Sequence, residues 1–490
     1  MYSAKNNNRT MARSESKLVN VFRTKNMKTE KGMVTNSTSL DACVDMFFMA
    51  GATRHWSKEK RQELFQKALV ENPLVAMKLL FWARDVRSGA GERDFFRDGM
   101  ELLNNLYPDY LNINAHLIPE FGRWDDLFAV DPDISIPIVR KGLEDGDALL
   151  AKWLPRKRQY NNFASKVRES LGLSPKDYRK MIVEMSNTIE QKMCDKKFEE
   201  IDYQGVPSIA MNKYRTSFYR NDEDRFKKYI DDVTSGEVKI NAGVIYPHML
   251  YRALNKGGRA DRGTFKVNED KAIEAQWKAL PNFMEGSEHR IMPLVDVSPS
   301  MTWNNGLPLE VAISLGIYIS ERNESIFKDA FMTFSEKPTM EFLKGSFAER
   351  AYQLRYAKWG GTTNIEKAFE QLLEKSVEFG VEEKYMPTMI LIISDMQFDS
   401  CVRMDNTAME MIRRKYEDAG YQLPQIVFWN VRAEIDNVPA QDNEKGVGLI
   451  SGFSPSILKD ILKGEIKSKP TPLETMMSVV DSGRYDSVVV

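Results

Sequence analysis

Three oxygen-bearing side chains follow a short apolar segment of the chain. Residues 291–295 predict a buried strand, and Asp296, Ser298 and Ser300 come directly after it. One carboxylate and two hydroxyls at alternate positions can turn their oxygens toward one point, and hard divalent cations prefer oxygen ligands. Asp and Ser are also common in turns and helix caps, so this pattern alone favours a cap, and a cation site needs further donors.

Two later loops supply such donors. A Gly-rich segment precedes an apolar-periodic helix at 364–380 and offers the hydroxyls of Thr362 and Thr363. Asp395 closes an apolar strand at 388–394. Loops that follow parallel strands lie at the carboxyl edge of a sheet, where α/β folds bind ligands, so we expect all these donors to meet there. The expected ion is Mg²⁺ or Mn²⁺.

This order of donors, Asp-x-Ser-x-Ser, then Thr, then Asp, resembles the metal-ion-dependent adhesion site of von Willebrand factor A domains, and residues 291–463 resemble such a domain. The family threonine directly precedes an Asn or Asp, which selects Thr363, although the doubled threonine leaves Thr362 open. The resemblance implies direct hydroxyl ligands, one or both aspartates acting through water, and an open vertex for a partner's carboxylate. The implied metal ligands are Asp296, Ser298, Ser300, Thr363 and Asp395.

Motifs in the first half of the chain resemble the TROVE family of Ro-type RNA-binding proteins, especially its sister group. With 291–463, the resemblance spans roughly residues 40 to 463. It implies helical repeats that close into a ring and hold small structured RNAs and the single-stranded ends of misfolded RNAs. The motifs are FWARDVR at 81–87 with GAGER at 89–93, IPEFGRWDDL at 118–127, IDY at 201–203 with VPS at 206–208, and KINAG at 239–243 with YPH at 246–248.

Hydrophobic periodicity divides the chain into parts. Residues 39–285 carry apolar residues three and four apart between polar breaks, which predicts stacked helices in a HEAT-like solenoid or ring. From 286 to 465, short apolar runs alternate with helical patterns, which predicts a doubly wound, Rossmann-like parallel sheet. The expected fold class is therefore α plus α/β. A disordered basic arm is expected at 1–38, and the tail at 466–490 is either an appended helix or loose.

The composition is that of an ordinary soluble protein. The 490 residues are 42% hydrophobic and 28% charged with a formal net charge of −1, so any surface for nucleic acid must be local. Three cysteines, far apart and without CxxC spacing, argue against a disulfide framework or zinc module and favour a reducing compartment. The sequence shows neither a long apolar run nor a signal-peptide pattern, so we expect a cytoplasmic protein without a membrane partner.

The strongest local charge lies at 151–180, a segment with nine basic residues, two acidic residues and four aromatic residues among them. A second basic stretch at 213–228 is diluted by acidic neighbours. Such stretches can bind phosphates and stack bases, or they can be solvated helix faces with ion pairs and buried rings. The Ro-type resemblance favours RNA. The candidate RNA-binding residues are Lys152, Arg156, Lys157, Arg158, Lys166, Arg168, Arg179, Lys180, Lys213, Arg215 and Arg220.

No convincing catalytic set is present, because the histidines at 55, 116, 248 and 289 lack both metal-ligand spacing and a neighbouring nucleophile motif. We therefore expect no enzymatic activity. The first functional hypothesis is an RNA-binding scaffold whose cation site recruits a protein partner through an acidic residue. The alternative is an assembly factor that uses the same site without RNA. A metal-dependent nuclease is a third class, but such enzymes commonly use two metals and more acidic ligands.

Overall fold

A helical body precedes a six-stranded sheet in the computed structural model, so the α plus α/β class is confirmed. The structure describes residues 27–155, 161–255, 269–334, 337–357, 363–399, 408–463 and 469–490. The helices of the body are α1 Ala42–Ala50, α2 Lys58–Glu71, α3 Pro73–Arg84, α4 Arg93–Leu106, α5 Pro108–Asn114, α6 Ile118–Phe121, α7 Pro132–Glu144, α8 Ala148–Trp153, α9 Asn161–Ser170, α10 Pro175–Ser186, α11 Ile189–Cys194, α12 Ser208–Asn221, α13 Glu223–Ser235, α14 Pro247–Leu254 and α15 Lys271–Lys278.

The sheet has the strand order β5-β4-β3-β6-β7-β8, with β3 and β6 at its centre. Only the β4–β5 pair is antiparallel among the described strands of this sheet, so the expected parallel sheet carries an antiparallel edge strand. Residues of β3, β6, β7 and β8 are all buried, as near-continuous apolar runs predict. The strands are β3 Ile291–Val295, β4 Ala330–Thr333, β5 Met340–Phe342, β6 Met389–Ser394, β7 Gln425–Asn430 and β8 Val447–Ser451.

Helices connect these strands and follow the last one. The helix predicted at 364–380 is observed at Ile365–Glu378. After β8, a 3₁₀ turn at Pro455–Ile457 runs into a single α-turn. The helices of this part are α16 Trp303–Arg322, α17 Phe347–Arg355, α18 Ile365–Glu378, α19 Ala408–Asp418, α20 Leu458–Ile461 and α21 Pro472–Val480.

The helical body and the sheet share one hydrophobic core, because α1 packs on β7 and β8. Asn430 Nδ2 donates to the carbonyl of Phe48 at 3.2 Å, and Ser451 Oγ donates to the carbonyl of Phe47 at 2.7 Å. At Gly51 the approach is so close that an added Cβ would lie 2.6 Å from the amide nitrogen of Gly452. A second, smaller core holds α12, α13 and α15 together.

Both ends of the described chain are tied to this core. The expected disordered arm at 1–38 differs from the structure over its last residues, because Met27–Lys28 (β1) pairs with Val34–Thr35 (β2) in an antiparallel hairpin. Thr35 Oγ1 and Asn36 Nδ2 both donate to the carbonyl of Val438, at 3.0 and 3.1 Å. Residues 1–26 lie outside the described part of the chain. The tail carries α21, which packs on β8, so an appended helix is observed there.

The body helices vary in length from 4 to 14 residues, so a HEAT-like repeat or ring stays a prediction. Within the described ranges we find no helix with the length and apolar character needed to cross a lipid bilayer.

Candidate functional site

Asp296 and Asp395 lie side by side at the carboxyl edge of the sheet. They directly follow the two central strands, β3 and β6, which pair in parallel with Val295 opposite Ile393. From β3 the chain continues to one side of the sheet, and from β6 it continues to the other, so the two loops diverge and leave a crevice. Such a switch point is where open α/β sheets bind ligands. The topology therefore brings together two carboxylates that are about a hundred residues apart in sequence.

Hydrogen bonds fix the orientation of Asp296, which is fully buried. Its Oδ1 accepts from the amide of Ser298 at 2.8 Å, and its Oδ2 accepts from the hydroxyl of Ser394 at 2.6 Å. The backbone amide of Asp296 also donates to the carbonyl of Ile393 at 3.0 Å, which continues the strand pairing by one residue. Both oxygens of Asp296 therefore have neutral donors, as is expected for a carboxylate that acts on an ion through water.

Asp395 is held on one side only. Its Oδ1 accepts from the amide of Gln397 at 3.2 Å, whereas its Oδ2 is buried and accepts no hydrogen bond from any residue that the structure describes. The nearest cation is the guanidinium of Arg432, with Nη1 3.6 Å from Oδ2. Directly after Asp395, Met396 has a φ of 63°, in the left-handed region that costs about 1–2 kcal/mol for a residue with a side chain. This turn aims the Gln397 amide at the carboxylate.

The two serines of the first loop connect the carboxylates. Ser298 Oγ lies 2.9 Å from Ser300 Oγ, and the side chain of Ser300 acts on Asp395 by lowering the pKa of that carboxyl against the effect of burial. Ser298 is buried and Ser300 is partly exposed, so the cluster opens to solvent on the Ser300 side. Four of the five predicted ligands therefore form one contiguous set of oxygens.

Thr363 lies beside this set, directly before Asn364, the N-cap residue of α18. Its hydroxyl donates to the carbonyl of Gln397 at 2.8 Å, and its amide donates to Asp399 Oδ2 at 2.6 Å. The same hydroxyl accepts from the ammonium of Lys31 at 2.9 Å, and the positive charge of Lys31 also acts on Asp296. The alternative ligand Thr362 lies outside the described residues, as does most of the Gly-rich segment before it.

Burial raises the pKa of both carboxylates, and the negative charge of Asp296 raises that of Asp395 further. Desolvation is the main cause for Asp296, partly offset by the hydrogen bonds from Ser394 and Ser298. For Asp395, burial comes first and the negative charge of Asp296 second, and together they raise its pKa to about 6. Two carboxylates that resist ionisation next to each other are stabilised by a nearby cation.

The donor set fits a hard divalent cation. The buried Oδ2 of Asp395 lacks a hydrogen-bond partner among the described residues, and the hydroxyls of Ser298 and Ser300 lie next to each other on the adjoining loop. A hard cation prefers such carboxylate and hydroxyl oxygens. Ser298, Ser300 and Thr363 would contact the ion, and the aspartates would hold it directly or through water. No cluster of three His, Cys, Asp or Glu side chains occurs in the described ranges, so the hydroxyls must complete any such site.

Sequence reasoning did not identify three side chains of this site. Lys31 comes from the N-terminal hairpin, and Ser394 is the last residue of β6. Arg432 follows β7 and lies with its guanidinium 4.9 Å from the ring of Trp303, which is 64% exposed. Ser394 could have been found, because it precedes Asp395 at the end of an apolar strand. Lys31 and Arg432 have no local signal, since only the tertiary fold brings them to the crevice.

The predicted basic surface is less coherent than the cation site. Its two stretches do meet, because Glu190 accepts from Lys152 at 3.0 Å and from the hydroxyl of Tyr214 at 3.3 Å. Lys213 lies over the Tyr214 ring at 4.8 Å. Among the other candidates, Arg179, Lys180 and Arg220 are exposed, while Lys166 and Arg168 are partly buried. Arg156, Lys157 and Arg158 lie outside the described residues.

Several of these side chains serve the protein's own packing. Arg215 is 8% exposed, and its guanidinium bonds to Asp270 at 2.9 Å and to Asn212, so it is not available to RNA in this conformation. Phe163 and Tyr178, two of the four aromatic residues interleaved in 151–180, are buried in the core. The ring of Trp153 is covered by the guanidinium of Arg123 at 3.9 Å. The surface therefore offers cations for phosphates more clearly than rings for bases.

Two family models match the chain. A domain of unknown function (DUF2828) matches residues 29–130 and 148–287, and a second domain of unknown function (DUF7788) matches residues 291–484. The first covers most of the hairpin and the helical body except α7, and the second covers the sheet with the loops of the candidate cation site and α21. The finer resemblance to von Willebrand factor A and TROVE domains stays a prediction.

Similarity over most of the chain extends to a viral protein and to a solved structure. Uncharacterized protein L728 of Acanthamoeba polyphaga mimivirus is 28% identical over 521 residues, which are 92% of this chain and 87% of the relative. The crystal structure of the Ro (RSR) protein of Deinococcus radiodurans aligns over 91% of this chain and 100% of that chain, with 12% identity and a TM-score of 0.47. That score is too low to carry an argument about function.

Proposed function

We propose that this protein is an adhesion scaffold that holds a divalent cation, Mg²⁺ or Mn²⁺, at the carboxyl edge of its sheet. A carboxylate from a protein partner completes the coordination of that ion. The support is chemical: the donor set has only two carboxylates and is rich in neutral hydroxyls, so a bound ion keeps much of its positive charge. The crevice opens on the side of Ser300, where a partner has access.

The observation that carries this proposal is the buried Oδ2 of Asp395, which accepts no hydrogen bond within the described part of the chain. A buried carboxylate oxygen without a donor costs several kcal/mol or takes up a proton, unless a cation satisfies it. Arg432 does not fill this role, because its nearest nitrogen is 3.6 Å away and it also pairs with Glu434 at 2.7 Å.

The test is titration calorimetry with Mn²⁺ and Mg²⁺ on the wild type and on Asp395→Asn. We expect the substitution to weaken cation binding about a hundredfold, or ~2.7 kcal/mol, because it removes one of the two charges that hold the ion. Asp418→Asn is the matched control, since Asp418 is exposed on α19 in the same part of the fold. Equal affinities in the wild type and Asp395→Asn would overturn the proposal.

Adhesion itself is tested with immobilised peptides that carry a single Asp or Glu, compared with the same peptides carrying Asn or Gln. Binding of the acidic peptides is expected with Mg²⁺ and not with a chelator, and it is expected to be lost in Asp395→Asn. Cation-independent binding, or equal binding of the amide peptides, would show that the ion does not accept the partner's acid.

We further propose that the helical body binds RNA through the basic surface around Lys152, Arg179, Lys180, Lys213 and Arg220. The specific support is that stretches separated in sequence adjoin at Glu190, which joins α8, α11 and α12. Exposed lysines and arginines on neighbouring helices can neutralise successive phosphates without reading base edges. The Ro-type resemblance of the sequence motifs suggests the same class of ligand.

RNA binding is tested on the purified protein by its absorbance at 260 nm before and after ribonuclease, followed by sequencing of crosslinked RNA. Excess absorbance that ribonuclease removes is expected, and a protein free of nucleic acid would favour the assembly factor without RNA. Asp296→Ala is expected to keep RNA binding, because the cation site and the basic surface lie on different parts of the fold. Cleavage of RNA by the wild type but not by Asp296→Ala would instead identify a nuclease.

A further inference from the structure

One side chain of the cation site is itself a cation. The ammonium of Lys31 donates to the hydroxyl of Thr363 at 2.9 Å, and its charge acts on Asp296. Lys31 is partly buried at this position, although it comes from the N-terminal hairpin and not from the sheet. An ammonium group among hydroxyl and carboxylate oxygens provides the same kind of interaction as a metal ion, with hydrogen bonds in place of coordination bonds.

The hairpin fixes Lys31 in this place through three contacts with the loop that follows Asp395. Thr29 Oγ1 donates to the carbonyl of Phe398 at 2.6 Å, and the amide of Glu30 donates to Gln397 Oε1 at 2.9 Å. Gly32 forms an antiparallel bridge with Asp399, and its φ of 92° is one that glycine adopts without strain. The residues on both sides of Lys31 are therefore bound to the loop that carries a predicted metal ligand.

The ammonium and a divalent ion need the same oxygen. The hydroxyl proton of Thr363 is donated to the carbonyl of Gln397, so only its lone pairs remain for a cation, and Lys31 occupies one of them. A magnesium ion bound to this hydroxyl would lie close to the ammonium, which is 2.9 Å from the same oxygen. Two positive charges at such a distance in a buried crevice repel each other strongly.

We infer that Lys31 is a built-in occupant of the cation site, whose ammonium must leave before a divalent ion can use Thr363. Lys31 thereby lowers the affinity of the site for the ion and links ion binding to release of the hairpin turn at 29–32. The inference rests on the proposed function, because it assumes the same cation site and adds that Lys31 competes with the divalent ion for it. It also explains how two neighbouring buried carboxylates are tolerated before an ion arrives.

The test compares Mn²⁺ and Mg²⁺ affinities of the wild type, Lys31→Met and Lys28→Met by titration calorimetry. Met keeps the length and apolar body of the lysine side chain and removes the charge. We expect Lys31→Met to bind the ion about tenfold more tightly, because no ammonium has to be displaced. Lys28→Met, an exposed position on the same hairpin, is expected to bind like the wild type.

An unchanged or weaker affinity in Lys31→Met would overturn the inference while leaving the proposed cation site intact. Absence of binding in both proteins at millimolar ion would overturn the proposed function as well. Thr29→Val covers the case in which Lys31→Met does not fold, because it keeps Lys31 and removes the hydroxyl bond that holds the turn. It is expected to tighten ion binding by about threefold, and no change there would contradict the inference.

A second readout does not depend on affinity. If the ion displaces Lys31, adding Mg²⁺ to the wild type should increase amide hydrogen exchange of residues 29–33, where the amide of Met33 is bonded to Thr29 Oγ1 at 3.0 Å. In Lys31→Met the same segment should exchange equally with and without the ion. Protection of the segment by Mg²⁺ in the wild type would show that the hairpin and the ion bind together, which contradicts the inference.

Discussion

The cation site and the basic surface were both predicted from charged or polar residues in the sequence. The fold brings the residues of the first together more closely than those of the second. Four of the five predicted cation ligands form one contiguous set, and the fifth lies beside it. The candidates for RNA binding include exposed side chains, partly buried ones and the buried Arg215. Strand ends are placed by sheet topology, whereas the direction of a side chain on a helix depends on what packs against that helix. Sequence therefore predicts the position of an oxygen donor that follows a strand better than it predicts the position of a basic side chain in a run of charged residues.

The largest expected effect is on stability and concerns Arg215, which differs from the other members of the basic stretch because it forms a buried ion pair with Asp270. Arg215→Met leaves the carboxylate of Asp270 without its partner at a position where both side chains are about nine-tenths buried. Breaking a buried pair in this way costs about 3 kcal/mol of unfolding free energy. Urea denaturation followed by tryptophan fluorescence measures it.

Lys213→Met on the same helix is the matched control. Lys213 is exposed, so its substitution should leave the unfolding midpoint unchanged and should weaken RNA binding instead. If Arg215→Met left the stability unchanged and weakened RNA binding as much as Lys213→Met, the distinction between buried and exposed members of the stretch would be lost.

The next largest effect distinguishes the two adjacent threonines of the cation site. Thr363→Val removes the hydroxyl next to the site and is expected to weaken Mn²⁺ binding about tenfold, or ~1.4 kcal/mol. Thr362→Val changes a neighbouring residue in the same way and is expected to have no effect. Calorimetry on the two variants measures both, and the reverse result would assign the ligand to Thr362 and shift the loop by one residue.

A smaller effect is expected from pH. Because burial and the charge of Asp296 raise the pKa of Asp395 to about 6, a proton competes with the ion below that pH. Mn²⁺ affinity should fall about fourfold between about pH 7.5 and about pH 5.5. For the ion-free protein, the stability changes with pH in the opposite direction. The pKa of Asp395 in the folded state lies above the ordinary value of 3.8, so the free energy of unfolding falls as the pH rises from 3.8 to about 6.

Thermal unfolding at several pH values, with and without Mg²⁺, checks both signs. The stabilisation by Mg²⁺ should grow as the pH rises through about 6 and then level off. RNA binding by lysines and arginines should stay constant over the same range, because these groups do not titrate there. A cation affinity that does not change with pH would show that Asp395 is already ionised at pH 5.5.

Sequence periodicity identified the α plus α/β class and the end of each central strand, because buried strands read as apolar runs and their donors follow immediately. It did not identify the antiparallel β5, which is three residues long and largely exposed, so it lacks an apolar run. The hairpin at 27–35 was also missed. Its polar residues are held by tertiary contacts, such as the bond of Thr29 to Phe398, that have no local signature.

The smallest expected effect tests whether the exposed part of the basic surface acts as a unit. Arg179 and Lys180 are adjacent and exposed on α10, which packs against α8 with Lys152. Arg179→Glu combined with Lys180→Glu should weaken binding of a single-stranded RNA about threefold and reduce the salt dependence of its affinity by about one to two ion equivalents. Fluorescence anisotropy at several salt concentrations measures both quantities.

The control changes the net charge equally at another place. Lys367→Glu combined with Lys384→Glu reverses two exposed lysines near the sheet, and it should leave both the RNA affinity and its salt dependence close to those of the wild type. If the two double variants lost affinity equally, RNA would be responding to overall charge and not to a located surface. In that case RNA binding would depend on total charge, and only the predicted cation site would depend on where its residues lie in the fold. Its predicted ligands are held in place by the ends of the strands.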